Sequence, residues 1–443
     1  MNKKIGMISL GCSKNLVDSE NMLGLLRLHG YEITPDITQA DAIIVNTCAF
    51  IDSAKQESIN AILDAAHYKE DGKCRALICA GCLSERYKDE IMKEIPELDG
   101  VIGVNDIEKI VLLVTKTLSG KKAEYFPEEP KAISGLPRAL TTPSYTAFLK
   151  IAEGCDNYCS YCAIPYIRGR YRSRKIESIV KETRKLIEKG TKELILIAQD
   201  TSRYGIDLYG KKSLPELLHK LCSIVKLKWI RVHYCYPEEI TEELIETFRD
   251  EDKIIKYMDI PIQHCNDRIL KRMNRKTTGD EIRALIKHLR EEIPNIAIRT
   301  SLIVGFPGET EEEFNELCDF VREIKFDRLG VFAYSAEEGT PAAKMGGQIP
   351  EKVKEERCAK IMEIQKAVAE ELGKRRIGQV LSVITEGFDE DNLLYFGRSY
   401  ADSPDVDAKV YFGARSMLMP GDLVRVRILD YLDYDLTGEM VYE

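Results

Sequence analysis

Along the first 125 residues, apolar positions gather in short runs at 4–10, 41–46, 75–80 and 101–103, and these predict strands. Between them, residues 15–29, 53–69 and 83–93 place apolar side chains three and four apart, the spacing of one helix face. Such alternation predicts a small parallel-sheet α/β domain over residues 1–125. The pattern then breaks: residues 126–146 hold Pro127, Pro130, Pro137 and Pro143 with little periodicity and read as a linker.

Six further apolar runs follow, at 148–152, 193–198, 229–234, 257–262, 296–304 and 328–334, with helical stretches such as 176–189, 238–250, 279–292 and 310–324 in the gaps. Six βα units predict a parallel sheet that curls without closing, since a closed barrel takes eight; residues 147–349 are expected to form a partial (β/α)6 barrel. Residues 350–376 read as a charged connecting helix. Alternating segments at 380–386, 393–398, 408–412 and 423–429 then predict a small antiparallel β-barrel over 377–443.

The 443 residues are 44% hydrophobic, enough for several cores, which excludes disordered and fibrous classes. No apolar run reaches the ~18 to 20 residues needed to cross a bilayer, and no signal-type apolar segment follows the first lysines, so a cytoplasmic protein with no membrane partner is expected. The formal charge of -9 is unevenly spread. Residues 377–443 alone carry 13 acidic and five basic side chains, a local -8. Thirteen cysteines without an export signal point to reduced thiols serving as ligands or core side chains rather than to disulfides.

The sharpest local signal is Gly154-Cys155-Asp156-Asn157-Tyr158-Cys159-Ser160-Tyr161-Cys162, after the first strand of the predicted barrel. Three thiolates on one loop suit three corners of an iron-sulfur cubane and leave one iron open to an outside ligand. Zinc is the weaker alternative, requiring His233, His264 or Cys235 to fold back and close the shell. A second set is dispersed: Cys12, Cys48 and Cys82 each follow a predicted strand, so a parallel sheet would bring them to one rim. Gly11 and Gly81 beside them would let backbone come close to a bound group. Cys79 also forms a C-x-x-C with Cys82 but falls inside a strand, where a core role is expected. Cys74, Cys222, Cys265, Cys318 and Cys358 fit no ligand spacing.

With its flanks Glu153-Gly154-Cys155 and Tyr161-Cys162-Ala163-Ile164-Pro165, the loop resembles the radical S-adenosylmethionine superfamily, whose open iron binds S-adenosylmethionine for reductive cleavage to a 5′-deoxyadenosyl radical. Adding Leu10-Gly11-Cys12-Ser13-Lys14-Asn15, Asn46-Thr47-Cys48, Gly81-Cys82 and Gly305-Phe306-Pro307-Gly308-Glu309-Thr310, essentially the whole chain is similar to the methylthiotransferases. That likeness implies a second 4Fe-4S cluster on Cys12, Cys48 and Cys82, a C-terminal TRAM domain, and two S-adenosylmethionine molecules consumed per product. Gln199-Asp200-Thr201-Ser202-Arg203-Tyr204-Gly205 and the stretch 397–407 look like the branch that modifies an aspartate of ribosomal protein S-twelve rather than the branch acting on adenosine in tRNA. The acidic C-terminal domain agrees, because an RNA-binding face needs cations. A third reading is a non-enzymatic RNA- or ribosome-binding metalloprotein.

Around the cluster loop, Tyr161, Gln199, Asp200, Gly305 and Phe306 are candidate S-adenosylmethionine contacts, against the alternative that they cap loops and turns. His233 and His264 read as structural histidines. Arg168, Arg170, Arg172 and Arg174 read as a solvated basic face. Lys14 and Asn15 carry no assigned chemistry beyond starting a helix. A flavodoxin or ferredoxin as electron donor and a monomeric state complete the expectations.

Overall fold

The computed structural model describes residues 3–127 and 135–442, so Pro130 of the expected linker lies outside the described residues. Strands β1 (Lys4–Ser9), β2 (Glu32–Ile33), β3 (Ala42–Thr47), β4 (Ala76–Gly81), β5 (Gly100–Gly103) and β6 (Ala123–Tyr125) form one all-parallel sheet in the order β2-β1-β3-β4-β5-β6. Every residue of β3 and β4 is buried, as expected for central strands covered on both faces. The stretch 83–93, expected to be one helix, is two: Cys82–Arg86 and Ile91–Glu94. Exposed Lys88, Asp89 and Glu90 interrupt it, and Leu83 and Ile91 are buried on either side of the break.

Residues 135–141 are no free spacer. Arg138 and the Thr141 N–H bind the Glu20 carboxylate on helix Ser13–Leu28, and the Ala139 N–H donates to the Glu20 carbonyl at 3.0 Å. The strap ties the first sheet to the second.

That second sheet is parallel throughout and holds β7 (Thr146–Lys150), β10 (Glu193–Ile197), β11 (Trp229–Val232), β12 (Ile254–Asp259), β13 (Ala297–Val304) and β14 (Arg328–Ala333), in the order β14-β13-β12-β11-β10-β7. It stays open between β7 and β14, giving the partial barrel. The short antiparallel pair β8 (Ala152–Glu153) and β9 (Arg172–Ser173) brackets the cysteine loop. Capping boxes, Thr278 with Glu281 and Thr310 with Glu313, start the two helices Gly279–Glu292 and Glu311–Ile324. Helix Glu351–Lys374 lies along β14.

The C-terminal strands β15 (Val380–Asp389), β16 (Leu394–Ser399), β17 (Val410–Gly413), β18 (Leu423–Leu432) and β19 (Asp435–Met440) close a barrel in the order β15-β16-β17-β19-β18. One pairing, β17 with β19, is parallel; the rest are antiparallel. The fifth strand, Asp-Leu-Thr-Gly-Glu-Met, is too polar to stand out as an apolar run.

This barrel docks against the N-terminal ends of the core strands, and much of its negative charge is spent there. Asp402 pairs with Arg328, Asp407 accepts from Tyr257 Oη at 2.8 Å and faces Arg299, and Asp422 lies 3.5 Å from Lys192. In return Arg398 reaches the buried Glu193 at 2.6 Å. The local -8 is therefore not all available to a partner.

Candidate metal centres

The register of the first sheet aligns Ser9 with Asn46 and Asn46 with Ala80, so the chain leaves β1, β3 and β4 side by side at one rim. Cys12, Cys48 and Cys82 sit immediately beyond. Gly11 has φ +84, and a Cβ on it would stand 2.8 Å from Cys48 Cβ and 3.2 Å from its Sγ. Gly81, at φ +98, has no room for one either, with Asn46 Oδ1 and the Thr47 carbonyl within 2.5 Å. Asn15 staples the rim: its Nδ2 donates to the carbonyls of Leu10 and Thr47 at 3.1 and 2.8 Å. Ser58 holds Cys48 by accepting from its N–H and donating to its carbonyl.

On the second sheet the cysteine loop is pinned from three sides. The Cys155 N–H donates to the Gly169 carbonyl, Ser160 bonds the backbone of Met273 and Arg272, and Asn157 Nδ2 donates to Asp200 Oδ2 at 2.9 Å. Asn274 Nδ2 donates to the carbonyl of Tyr158, a residue at φ 48. Cys155 and Cys159 are buried and Cys162 is half-buried.

Burial pushes the Cys82 and Cys155 thiols up to about 12 and raises Cys48 and Cys162 as well. Cys12 is exposed, and although desolvation by its surroundings raises it too, Lys14, Arg168 and the N–H groups of Asn15 and Lys14 outweigh this, so the thiol falls below its ordinary value. Several buried, mutually repelling sulfurs become stable thiolates only beside a metal cation, and soft thiolate donors suit iron-sulfur chemistry. Among the described residues no three Cys, His, Asp or Glu converge to hold a single metal ion. A cubane asks for no such convergence, because each thiolate binds its own iron. The zinc alternative gains no completed ligand set among the described residues either. His233 Nε2 bonds Ser403 Oγ at 3.0 Å, His264 Nδ1 accepts from the Asn266 N–H, and Cys235 lies 3.5 Å from Thr201 Oγ1.

The first thiol set is touched by Arg168, the last residue of helix Ile164–Arg168, which begins two residues after Cys162. A helix of that length rises only about 8 Å. Arg168 donates to Cys82 Sγ at 3.5 Å, Asn15 Oδ1 at 2.5 Å, Asp18 Oδ2 at 3.1 Å and Glu153 Oε1 at 2.8 Å. Lys150 pairs with the same two carboxylates, Asp18 and Glu153. The expected solvated face is thus half wrong: Arg168 is 1% exposed and Arg174 is buried on the Lys150 carbonyl and Glu182, while Arg170 does face solvent. Arg168 ends a helix, Gly169 turns the chain at φ +73 and Arg172 enters β9, so the four arginines share no single face and no one periodicity could show which are buried.

Of the other candidates, Gln199 Nε2 donates to Glu153 Oε1 at 2.9 Å, and its buried Oε1 has no partner. Asp200 is satisfied by Asn157 and Ser202, and burial raises its carboxyl to about 6. The Gly305 N–H donates to Glu309, and Phe306 is fully buried, edge-on to Tyr334 at 5.3 Å. Tyr161 packs on that same cluster. Sequence spacing missed Arg275, a buried guanidinium 4.3 Å over the Tyr236 ring, whose Nε and Nη1 have no partner beside the cysteine loop.

Comparison with known proteins agrees with this architecture. A radical SAM superfamily model matches residues 149–321, a TRAM domain model matches 377–441, and a model described as Uncharacterized protein family UPF0004 matches 4–103. Among solved structures, the radical S-adenosylmethionine methyltransferase TsrM from Kitasatospora setae superposes with a TM-score of 0.57 at 13% identity, over 86% of this chain and 77% of its own. The cobalamin-dependent radical enzyme OxsB gives 0.51 at 11%, over 82% and 56%. At such identities these show the fold alone. Fold and cysteine loop together define a radical S-adenosylmethionine enzyme, a class that works with a 4Fe-4S cluster and S-adenosylmethionine.

Sequence relatives narrow the class. Proteins named ribosomal protein uS12 methylthiotransferase RimO are 51% identical in Acetivibrio thermocellus, over 100% of this chain and 99% of that protein, and 52% identical in Lachnoclostridium phytofermentans, over 98% and 99%. The chain belongs to the RimO family of radical S-adenosylmethionine methylthiotransferases.

Proposed function

We propose that this enzyme replaces a hydrogen on the β-carbon of an aspartate in ribosomal protein S-twelve by a methylthio group. The name of its full-length relatives supports the substrate protein. The observation that carries the two-cluster reading is Arg168, one side chain touching the rim of Cys12, Cys48 and Cys82 from the helix that follows Cys155, Cys159 and Cys162. In this reading each cysteine trio holds one 4Fe-4S cluster. Domain limits follow as 1–125, 147–349 and 377–443, with 126–146 and 350–376 as connections.

When bound, the clusters and two S-adenosylmethionine molecules supply the radical, the methyl group and the sulfur. The chain's own task is to position and to exclude water. Gln199, with its unpartnered Oε1, would contact S-adenosylmethionine directly; Tyr161 and Gly305 would offer backbone, while Asp200 and Phe306 would shape the cradle from behind. A substrate on the ribosome implies a cytoplasmic enzyme, with a flavodoxin or ferredoxin as donor and a monomer as the working unit. No helix among the described residues is long and apolar enough to cross a membrane.

Mass spectrometry of ribosomal protein S-twelve and of total tRNA from a deletion strain tests the substrate. Loss of methylthio-aspartate with intact tRNA is expected; loss of a methylthio-adenosine instead would overturn the proposal.

A further inference from the structure

The buried cations Lys150 and Arg168 at the seam between the two sheets have carboxylate partners, as do Arg231 and Arg299 beside the C-terminal barrel, whereas Lys14 has none among the described residues. Lys150 and Arg168 share Asp18 and Glu153, Arg231 has Glu193, and Arg299 has Asp259. Lys14 is only 8% exposed, yet among the described residues its ammonium has no hydrogen-bond or ion-pair partner. It stands 3.2 Å from the centroid of the Tyr234 ring, and a ring face satisfies one side of the ammonium and leaves its other N–H bonds open to an incoming acceptor.

The platform itself is held under strain. Tyr234, just past the C-terminal end of β11, has φ 62, a backbone region costly for a bulky side chain. Its N–H donates to Asp259 Oδ2 at 3.2 Å and its carbonyl accepts from the Thr201 N–H at 3.0 Å, which locks the ring beneath Lys14. Lys14 comes from the first turn after Cys12 and Tyr234 from the strand-end rim of the core, so the unpaired charge lies where the two cysteine-bearing rims face one another.

We infer that Lys14 receives the side-chain carboxylate of the substrate aspartate. This deepens the function proposed above and rests on it. An ammonium held on a ring face with no carboxylate of the chain beside it can grip an incoming carboxylate through a charge-assisted hydrogen bond. The carboxyl carbon of aspartate is bonded to the β-carbon, so gripping the carboxylate fixes the carbon that must lose hydrogen. Adenine carries no anionic group to reward this arrangement. Lys14 is in this sense a specificity residue for an acidic side chain.

The test uses reconstituted full-length enzyme and measures binding of ribosomal protein S-twelve and of its variant with the target aspartate replaced by asparagine. Wild type is expected to bind the aspartate form about 10- to 100-fold more tightly. Lys14→Met should bind both forms alike, at the weaker level, when compared with wild type at equal iron and sulfide content. Lys14→Arg should keep part of the discrimination, and it carries the comparison if Lys14→Met assembles poorly. Equal binding of both forms by wild type overturns the inference, as does full discrimination in Lys14→Met. So does a tRNA whose affinity falls with Lys14→Met while the two protein forms stay alike, since the ammonium would then serve a phosphate. If wild type does not modify S-twelve at all, it is the proposed substrate that fails.

Discussion

The two cysteine trios reach similar donor sets by opposite constructions. Cys155, Cys159 and Cys162 share eight residues of one loop, held by bonds from Gly169, Asp200, Met273 and Asn274. Cys12, Cys48 and Cys82 come from three strand ends and depend on the register of β1, β3 and β4. A loop can be damaged locally, whereas a rim assembled by register stands or falls with its sheet. On the proposed two-cluster reading the difference suits a division of labour, in which the local loop serves the superfamily's shared chemistry and the rim adds the family's own.

The largest expected effects separate the trios. Cys155→Ala should bring 5′-deoxyadenosine formation to background, measured by chromatography of the reaction. Cys82→Ala should leave S-adenosylmethionine cleavage in place, abolish methylthio insertion and remove about half of the iron. Equal loss of cleavage in both variants would mean that the trios form one indivisible centre.

Next comes the residue that joins them. Arg168→Met leaves Asp18 and Glu153 buried with Lys150 as their only cation, and should cost about 3 to 5 kcal/mol in denaturant unfolding. Glu153 is held well below the ordinary carboxylate range, with Arg168 and Lys150 overcoming its burial. An unfolding midpoint unchanged in this variant would show that the seam does not depend on the shared charge.

The C-terminal barrel sharpens the comparison differently, since it docks through a buried pair rather than through register. Although burial raises it, Arg398 and Arg231 hold the Glu193 carboxyl at about 2. Because the folded value lies below the unfolded one, the contribution is complete above about pH 4.5 and fades as pH falls toward 2. Limited proteolysis after residue 376 should therefore be constant from pH 7 to 5 and accelerate below. The smallest effect is expected at the rim of that interface. Asp422→Asn breaks a half-exposed pair with Lys192 and should cost under about 1 kcal/mol in thermal unfolding.

Sequence periodicity by itself gave most of the element types and the order of the three modules, and spacing marked Cys155, Cys159 and Cys162, because strands, helices and loop spacings are local patterns. The cysteines at 12, 48 and 82 were legible only through the rule that parallel strands end on one rim. Other features had no local signature. The polar strand Asp435–Met440 was invisible until the barrel closed on it. Arg168 and Arg174 looked solvated, and the acidic C-terminal module looked free to meet a partner. Only the tertiary structure decided which charges are buried, which are paired and that Lys14 is left alone, because burial and charge pairing are set by neighbours far apart along the chain.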